Sequence, residues 1–203
     1  MNLTLYEFGP TRAARCLWVL REIGVPFERV EVDLSVGAHR KPEFLAINPM
    51  GRVPALVADG TVLTESMAIC TWLADRYPEA RLIPAAGSLD RAVHDRWMFF
   101  CATELDAPLW RIRRNTVLLP EERRVAGDVP LASHDFDEAA TVFESFLGDR
   151  EVVVGGRFSV VDVVMTHTLQ WSSWGHGLDG HPGLSRYVER HLRRPACPAV
   201  LRR

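Results

Sequence analysis

Asn48–Ser66 reads NPMGRVPALVADGTVLTES, and this stretch decides the fold. Asn48-Pro49 and Gly51 interrupt regular structure, so a loop enters the segment. Pro54 lacks an N–H and has a fixed φ, which keeps Val53-Pro54 out of a central ladder. It suits the first residue of a strand, and a cis bond there requires tertiary support. Ala55-Leu56-Val57 is a short apolar strand, Asp59-Gly60 a hairpin turn, and Val62-Leu63 the returning strand. Glu65-Ser66 then open a helical pattern of Met67, Ile69, Cys70 and Leu73. A loop with backbone groups to offer thus precedes a helix start that carries a hydroxyl. Helix starts present N–H groups and a partial positive charge, which suits a small peptide-like anion.

Upstream, strands and helices alternate. Leu3–Phe8 alternates as a first strand, and Arg12–Ile23 carries Ala13, Cys16, Leu17 and Leu20 at helical spacing before Gly24. Phe27–Leu34 alternates again, and Lys41–Ile47 is a short helix. With the hairpin and a helix over 65–77, the order is β-α-β-α-β-β-α, a thioredoxin-like α/β domain over residues 1–78. Pro84 and Gly87 mark a linker over 79–87, and residues 88–203 read as an all-α domain. There, Ser88 to about Asn115 is one long helix and Pro120 to Leu147 another, broken near Gly127 and Val129-Pro130. Arg186–Leu192 and Ala199–Leu201 are short terminal helices. Ser159 and Asp162 have capping-box spacing, with Phe158 placed to staple onto Val163, so Asp162 is structural.

Composition limits the function classes. The 203 residues are 47% hydrophobic and 25% charged, ordinary for a soluble globular protein with one or two cores. A net charge of −2 without a basic block argues against nucleic-acid binding by bulk electrostatics. No apolar run is long enough for a bilayer, and MNLTLYEFGPTRAARC lacks the features of a secretory signal. Cys16, Cys70, Cys101 and Cys197 form no CxxC pair and read as reduced, mostly buried thiols of a cytoplasmic protein. His176 and His181 lack metal-ligand spacing with acidic or Cys partners, so no metal is expected.

The Asn48–Ser66 segment resembles the glutathione-binding half of the cytosolic glutathione transferases, and the resemblance extends from Leu3 to about Arg194. In that family the residue before the cis-proline pairs its backbone with the cysteinyl part of glutathione. A Glu-Ser pair at the next helix start holds the γ-glutamyl carboxylate. The resemblance assigns these parts to Val53 beside Pro54, and to Glu65 and Ser66. His39 and Arg40 resemble the histidine-lysine pair that meets the glycyl carboxylate in plant and theta-like members, and Arg52 is placed to assist. Asp106 matches a helix position from which some members send an acid across the dimer interface to the glutathione amine. The capping box resembles that of the family's buried sixth helix.

The chemistry follows from the thiol. A free cysteine thiol has a pKa of about 8.5, and lowering it by two units takes roughly 2.7 kcal/mol of preferential thiolate stabilisation. A hydroxyl donor, backbone N–H groups and the first helix dipole can provide that together. Thr11, in FGPTRAAR, matches the serine of serine-type members, acting through Oγ or backbone N–H. Tyr6 is the rival donor, at the tyrosine-type spacing, and Arg12 a third candidate as a cation at the helix mouth. No cysteine stands at the strand–helix turn, which argues against the cysteine-type members.

The resemblance implies an electrophile site between the two domains, with Phe8, Leu109, Trp110, Arg114 and Trp171 as substrate-binding candidates, alongside Leu105 and Trp174. The implied activity is that of a homodimeric detoxification enzyme: glutathione, as co-substrate, adds its thiolate to a small hydrophobic electrophile. Sister activities are glutathione-dependent isomerisation, dehalogenation and peroxide reduction. A non-catalytic binding or assembly module and a relative using another thiol are the remaining readings.

Overall fold

Four strands, Leu3–Glu7 (β1), Glu28–Glu31 (β2), Ala55–Ala58 (β3) and Thr61–Leu63 (β4), form one mixed sheet in the order β2-β1-β3-β4. The computed structural model describes residues 1–202. β1 runs parallel to β2 and antiparallel to β3, with Leu5 opposite Arg29 on one side and Leu56 on the other. Asp59 and Gly60 turn β3 into β4 with φ of 45° and 86°, the pair of positive values that a two-residue hairpin with native twist demands. β2 is shorter than the alternating pattern over 27–34: its register on β1 covers Glu28–Glu31, and beyond it Val32 N–H still donates to the Glu7 carbonyl at 2.9 Å.

Helices Ala13–Ile23 (α1), Pro42–Leu45 (α2) and Ser66–Arg76 (α3) complete the first unit. The first eight residues of α1 are all buried, from Ala13 to Leu20. A helix that is apolar nearly all round belongs in a core. It ends where the sequence says: Gly24 takes φ 78° and its N–H caps the Leu20 carbonyl. α1 packs on α3, bringing the Cys16 and Cys70 Sγ atoms to 3.8 Å. All four cysteines are buried and unpaired by disulfides. Tyr6 alternates away from buried Leu5 and Glu7, and its ring lies 6.0 Å from that of Phe44 on α2.

The chain separates into two units after Ile83, and the residues from Arg193 on belong with the first unit rather than with the helices. Arg194 forks onto Glu22 of α1 at 2.7 and 2.9 Å, and Glu22 also accepts from the Trp18 indole at 2.9 Å. The tail therefore fastens the C-terminal end of α1. Sequence periodicity does not reveal this, because the partners are more than 170 positions apart.

The second unit, Pro84–Leu192, is helical. Ser88 caps Leu89–Phe100 (α4) by accepting the Arg91 N–H at 3.1 Å. The single long helix expected from Ser88 to Asn115 is instead four pieces. α4 passes into a π-helical segment, Cys101–Asp106, then Ala107–Arg113 (α5), then a second π segment, Arg114–Leu118. Pro108 explains the first interruption, since it has no N–H for the Glu104 carbonyl and its ring crowds that turn. Asp128–Leu147 (α6) starts directly after Gly127, so the interruption falls before Val129-Pro130 rather than at it, and Pro130 sits in the first turn, where a missing N–H costs nothing.

Val160–Ser172 (α7) is buried along almost its whole length, and Pro182–Leu192 (α8) begins four residues before the expected start at Arg186. The capping box forms. Ser159 N–H donates to Asp162 Oδ2 at 2.9 Å, while Asp162 Oδ1 accepts from Val153 N–H at 2.9 Å and Tyr187 O–H at 2.8 Å. Burial pushes the Asp162 carboxyl up, against the opposing pull of these hydrogen bonds. Phe158 is buried with its ring 5.0 Å from that of His191. No helix among the described residues is long and apolar enough to cross a membrane.

Candidate glutathione site

The loop before β3 is held by its own polar groups. Asn48 is almost fully buried; its Nδ2 donates to the Arg52 carbonyl at 2.7 Å and its Oδ1 accepts from Met50 N–H at 3.1 Å. Sequence reading treats Asn48 only as a breaker, whereas the side chain is the brace of the loop. Gly51 adopts φ 59°, and a Cβ there would stand 2.8 Å from the His39 carbonyl oxygen and 3.0 Å from the Arg40 guanidinium. Glycine thus lets the His39–Arg40 turn close against the loop. The Val53–Pro54 peptide is cis, Pro54 is buried, and Val53 is half-buried at the mouth of β3.

His39 and Arg40 lie in a 3₁₀ turn, Ala38–Arg40. Partial burial, with the neighbouring Arg40 charge, holds the His39 imidazole below the ordinary histidine range. Its Nδ1 is buried without a hydrogen-bond partner among the described residues. Arg40 and Arg52 are both exposed.

Glu65 takes φ 63° and ψ 108°, a conformation that costs a non-glycine residue of order 1–3 kcal/mol and concentrates at functional sites. It turns the chain so that Ser66, buried to 5% exposure, becomes the first residue of α3. Arg15, at 1% exposure on α1, donates to Ser66 Oγ at 3.2 Å, and the Cys16 thiol lies 3.7 Å from the Ser66 carbonyl oxygen. Arg15 escaped the sequence reading. An arginine in an otherwise apolar, small-residue helix stretch, Ala13-Ala14-Arg15-Cys16-Leu17-Trp18, was the available signal.

Thr11 sits at the mouth of α1, but its hydroxyl donates to the Phe8 carbonyl at 2.8 Å and accepts from Ala13 N–H at 3.3 Å. It is spent on the turn. Tyr6 stands mid-strand against Phe44, and Arg12 is the residue flanking the first turn of α1. The first unit thus carries Tyr6, Phe8, Thr11, Arg12, His39, Arg40, Arg52, Val53, Pro54, Glu65 and Ser66.

The remaining candidates lie on the second unit. Leu109 and Trp171 line one small hollow together with Ile112, Arg113, Thr116 and Trp174. It holds about 30 Å³, room for a water or two and not for an aromatic ring. Trp110 and Arg114 are absent from that lining, and Arg114 is exposed. Adjacent helix residues point about 100° apart, so Arg113 faces the hollow where Arg114 does not. Leu105 is core, and Asp106 is buried at the end of the first π segment.

A family model described as the glutathione S-transferase N-terminal domain matches residues 1–75. The glutathione S-transferase GstA of Escherichia coli O157:H7 is 31% identical over 185 residues, covering 90% of this chain and 89% of the relative. The chain belongs to the glutathione S-transferase family. Glutathione S-transferase F10 of Arabidopsis thaliana is also 31% identical, over 80% of this chain and 77% of the plant protein. Among solved structures, a sphingomonad glutathione S-transferase complexed with glutathione superposes with a TM-score of 0.85 at 30% identity, covering 98% and 97% of the two chains. The glutathione S-transferase fold, a thioredoxin-like domain followed by helices, is thereby established for this chain.

Proposed function

We propose that this chain binds glutathione on its first unit and adds the glutathione thiolate to small hydrophobic electrophiles, working as a cytoplasmic homodimer. One observation carries the reading. Within one stretch of the first unit the chain has an Asn48-braced loop beside Pro54, a positive-φ Glu65, and buried Ser66 at the start of α3, the parts that the glutathione reading assigns to ligand. The similar sphingomonad protein holds glutathione in its solved structure, which supports the same ligand here.

In this reading the Val53 backbone pairs with the cysteinyl part of the tripeptide. Glu65 and Ser66 hold the γ-glutamyl end, and the helix dipole of α3 favours its carboxylate. His39 donates a hydrogen bond to the glycyl carboxylate, with Arg40 and Arg52 supplying charge. Asp106 of one subunit is assigned to the glutathione amine of the other. The start of α1 faces the thiol, with Thr11, Tyr6 and Arg12 as the groups that favour thiolate. Phe8, Leu109, Trp110, Arg114 and Trp171 are assigned to the electrophile. The thiolate attacks carbon, the electrophile's leaving group or π electrons take the charge, and no metal takes part.

A specific observation favours a second reading, a glutathione-binding module without conjugating activity. The Thr11 hydroxyl proton is engaged by the Phe8 carbonyl, so it must rotate away before it can meet a thiolate. Titration calorimetry with glutathione tests the binding, and absence of heat at millimolar ligand removes it. Conjugation of a chloronitrobenzene-type acceptor separates the two readings. Thr11→Ala is expected to lose most of the rate and Tyr6→Phe little. Loss in Tyr6→Phe alone transfers the role to Tyr6, and a silent wild type across a broad electrophile panel favours the module. Light scattering tests the dimer.

A further inference from the structure

We infer that Arg15 is a positioning residue for glutathione, acting through Ser66: its guanidinium fills an acceptor site on Ser66 Oγ and so presents the serine hydroxyl proton to the γ-glutamyl carboxylate. The inference rests on the glutathione reading above and assigns a part to a residue that touches no ligand itself.

A serine hydroxyl has one proton and two lone pairs. At Ser66 one lone pair accepts from Arg15 at 3.2 Å, and the proton has no acceptor among the described residues. The residue is nevertheless buried to 5% exposure. Serines inside a first turn commonly spend the hydroxyl on a nearby backbone carbonyl. No such bond forms at Ser66 among the described residues; its oxygen instead accepts from Arg15 of α1, 51 positions earlier in the chain. The proton is therefore held for an incoming acceptor.

Charge adds to direction. A hydrogen bond from a cation draws electron density from the hydroxyl oxygen and makes its O–H a stronger donor, an effect that grows in a low-dielectric interior. Arg15 is buried to 1% exposure, so its charge is poorly screened where Ser66 stands. Three favourable contributions then meet the carboxylate: the polarised hydroxyl, the N–H groups of the α3 start and the α3 dipole. Glu65, with φ 63°, points the first peptide of α3 in the direction this arrangement needs. Lysine is a weaker substitute, since a point charge on a flexible stem lacks the planar fork that fixes the approach angle.

Titration calorimetry of the full chain, with glutathione and with 4-aminobutyryl-cysteinyl-glycine, tests this. The second ligand lacks only the γ-glutamyl α-carboxylate. Ser66→Ala and Arg15→Met are each expected to weaken glutathione binding about tenfold, as for one lost hydrogen bond to a charged group. Neither should change affinity for the decarboxylated ligand by much. The double variant should be no weaker than either single variant, and Arg15→Lys should recover part of the loss. Multiplying losses in the double variant, or equal losses on both ligands, overturn the inference, since both describe a merely structural arginine. Should Arg15→Met fail to fold in a circular-dichroism melt, the wild-type crystal structure with glutathione decides. Ser66 Oγ within hydrogen-bond distance of both Arg15 and the carboxylate sustains the inference, and a carboxylate bound directly by Arg15 or lying elsewhere overturns it. A wild type that binds neither ligand removes the glutathione reading itself, a result distinct from additive losses in a wild type that binds.

Discussion

Two buried serines stand at the starts of two helices and differ in how their hydrogen bonds are used. Ser159, before α7, is enclosed by Asp162, which also takes the Val153 N–H and the Tyr187 hydroxyl. Every partner in that cluster belongs to the chain, and the cluster ties the 150s loop, α7 and α8 into one body. Ser66, at the start of α3, has only its acceptor side occupied, by Arg15. Both are nearly inaccessible, at 3% and 5% exposure. Burial alone therefore does not separate a structural serine from a binding one. The account of donors and acceptors does distinguish them: the Ser159 cluster is closed, and Ser66 still has a proton to give, which the proposed glutathione reading uses.

The most damaging way to test the closed side is Asp162→Ala. It leaves buried N–H and O–H donors unsatisfied at once and should cost about 3 kcal/mol or more. A thermal melt should show a large fall in Tm, and an unchanged Tm would mean that water replaces the carboxylate in full. On the open side, Gly51→Ala should act mainly on ligand. A Cβ would press on the His39 carbonyl from a left-handed backbone, so the His39–Arg40 turn must shift. Glutathione affinity should drop about tenfold, for a rearrangement of about 1–2 kcal/mol; calorimetry checks it.

The paired truncations sharpen the contrast further. Ser159→Ala should lower stability by about 1 kcal/mol with glutathione affinity unchanged. Ser66→Ala should weaken glutathione binding by about 1–3 kcal/mol with a smaller change in Tm. If both variants lose stability alike and neither loses affinity, the two serines are the same kind of cap.

The smallest expected effect is electrostatic and confined to the helical unit. Hydrogen bonds from Arg111, then the Arg111 charge and Asn115, hold the Asp128 carboxyl below the ordinary carboxylate range. A folded pKa below the unfolded value of about 3.9 gives stability that is complete above about pH 4. It is lost as the pH falls through the folded value. Asp128→Asn should make acid unfolding less steep below about pH 4 and leave stability at pH 7 within a small margin, since the pair is partly solvated. An acid limb identical to wild type would place the sensitivity elsewhere.

Legibility follows the range of the interaction. Asp59-Gly60, Gly24 and the Ser159–Asp162 spacing act within four residues, and each does what its chemistry dictates. The misreadings arise where a local pattern met a nonlocal or competing demand. Pro108 divides the long helix by removing one donor. Thr11 reads as a hydroxyl at the mouth of α1, and only the structure shows that hydroxyl donating to the Phe8 carbonyl.

By itself the sequence determined the element order of the first unit and its Asp59-Gly60 hairpin, because turn chemistry and apolar periodicity act over a few residues, and it carried the resemblance to the family; the strand order and directions came from the structure. Only the tertiary structure decided which polar atoms meet. Arg15 reaches Ser66, Asn48 spans its loop, and Arg194 returns to Glu22 through contacts that no local spacing encodes. Side-chain hydrogen bonds depend on where the backbone has carried each residue, and packing of the whole unit decides that.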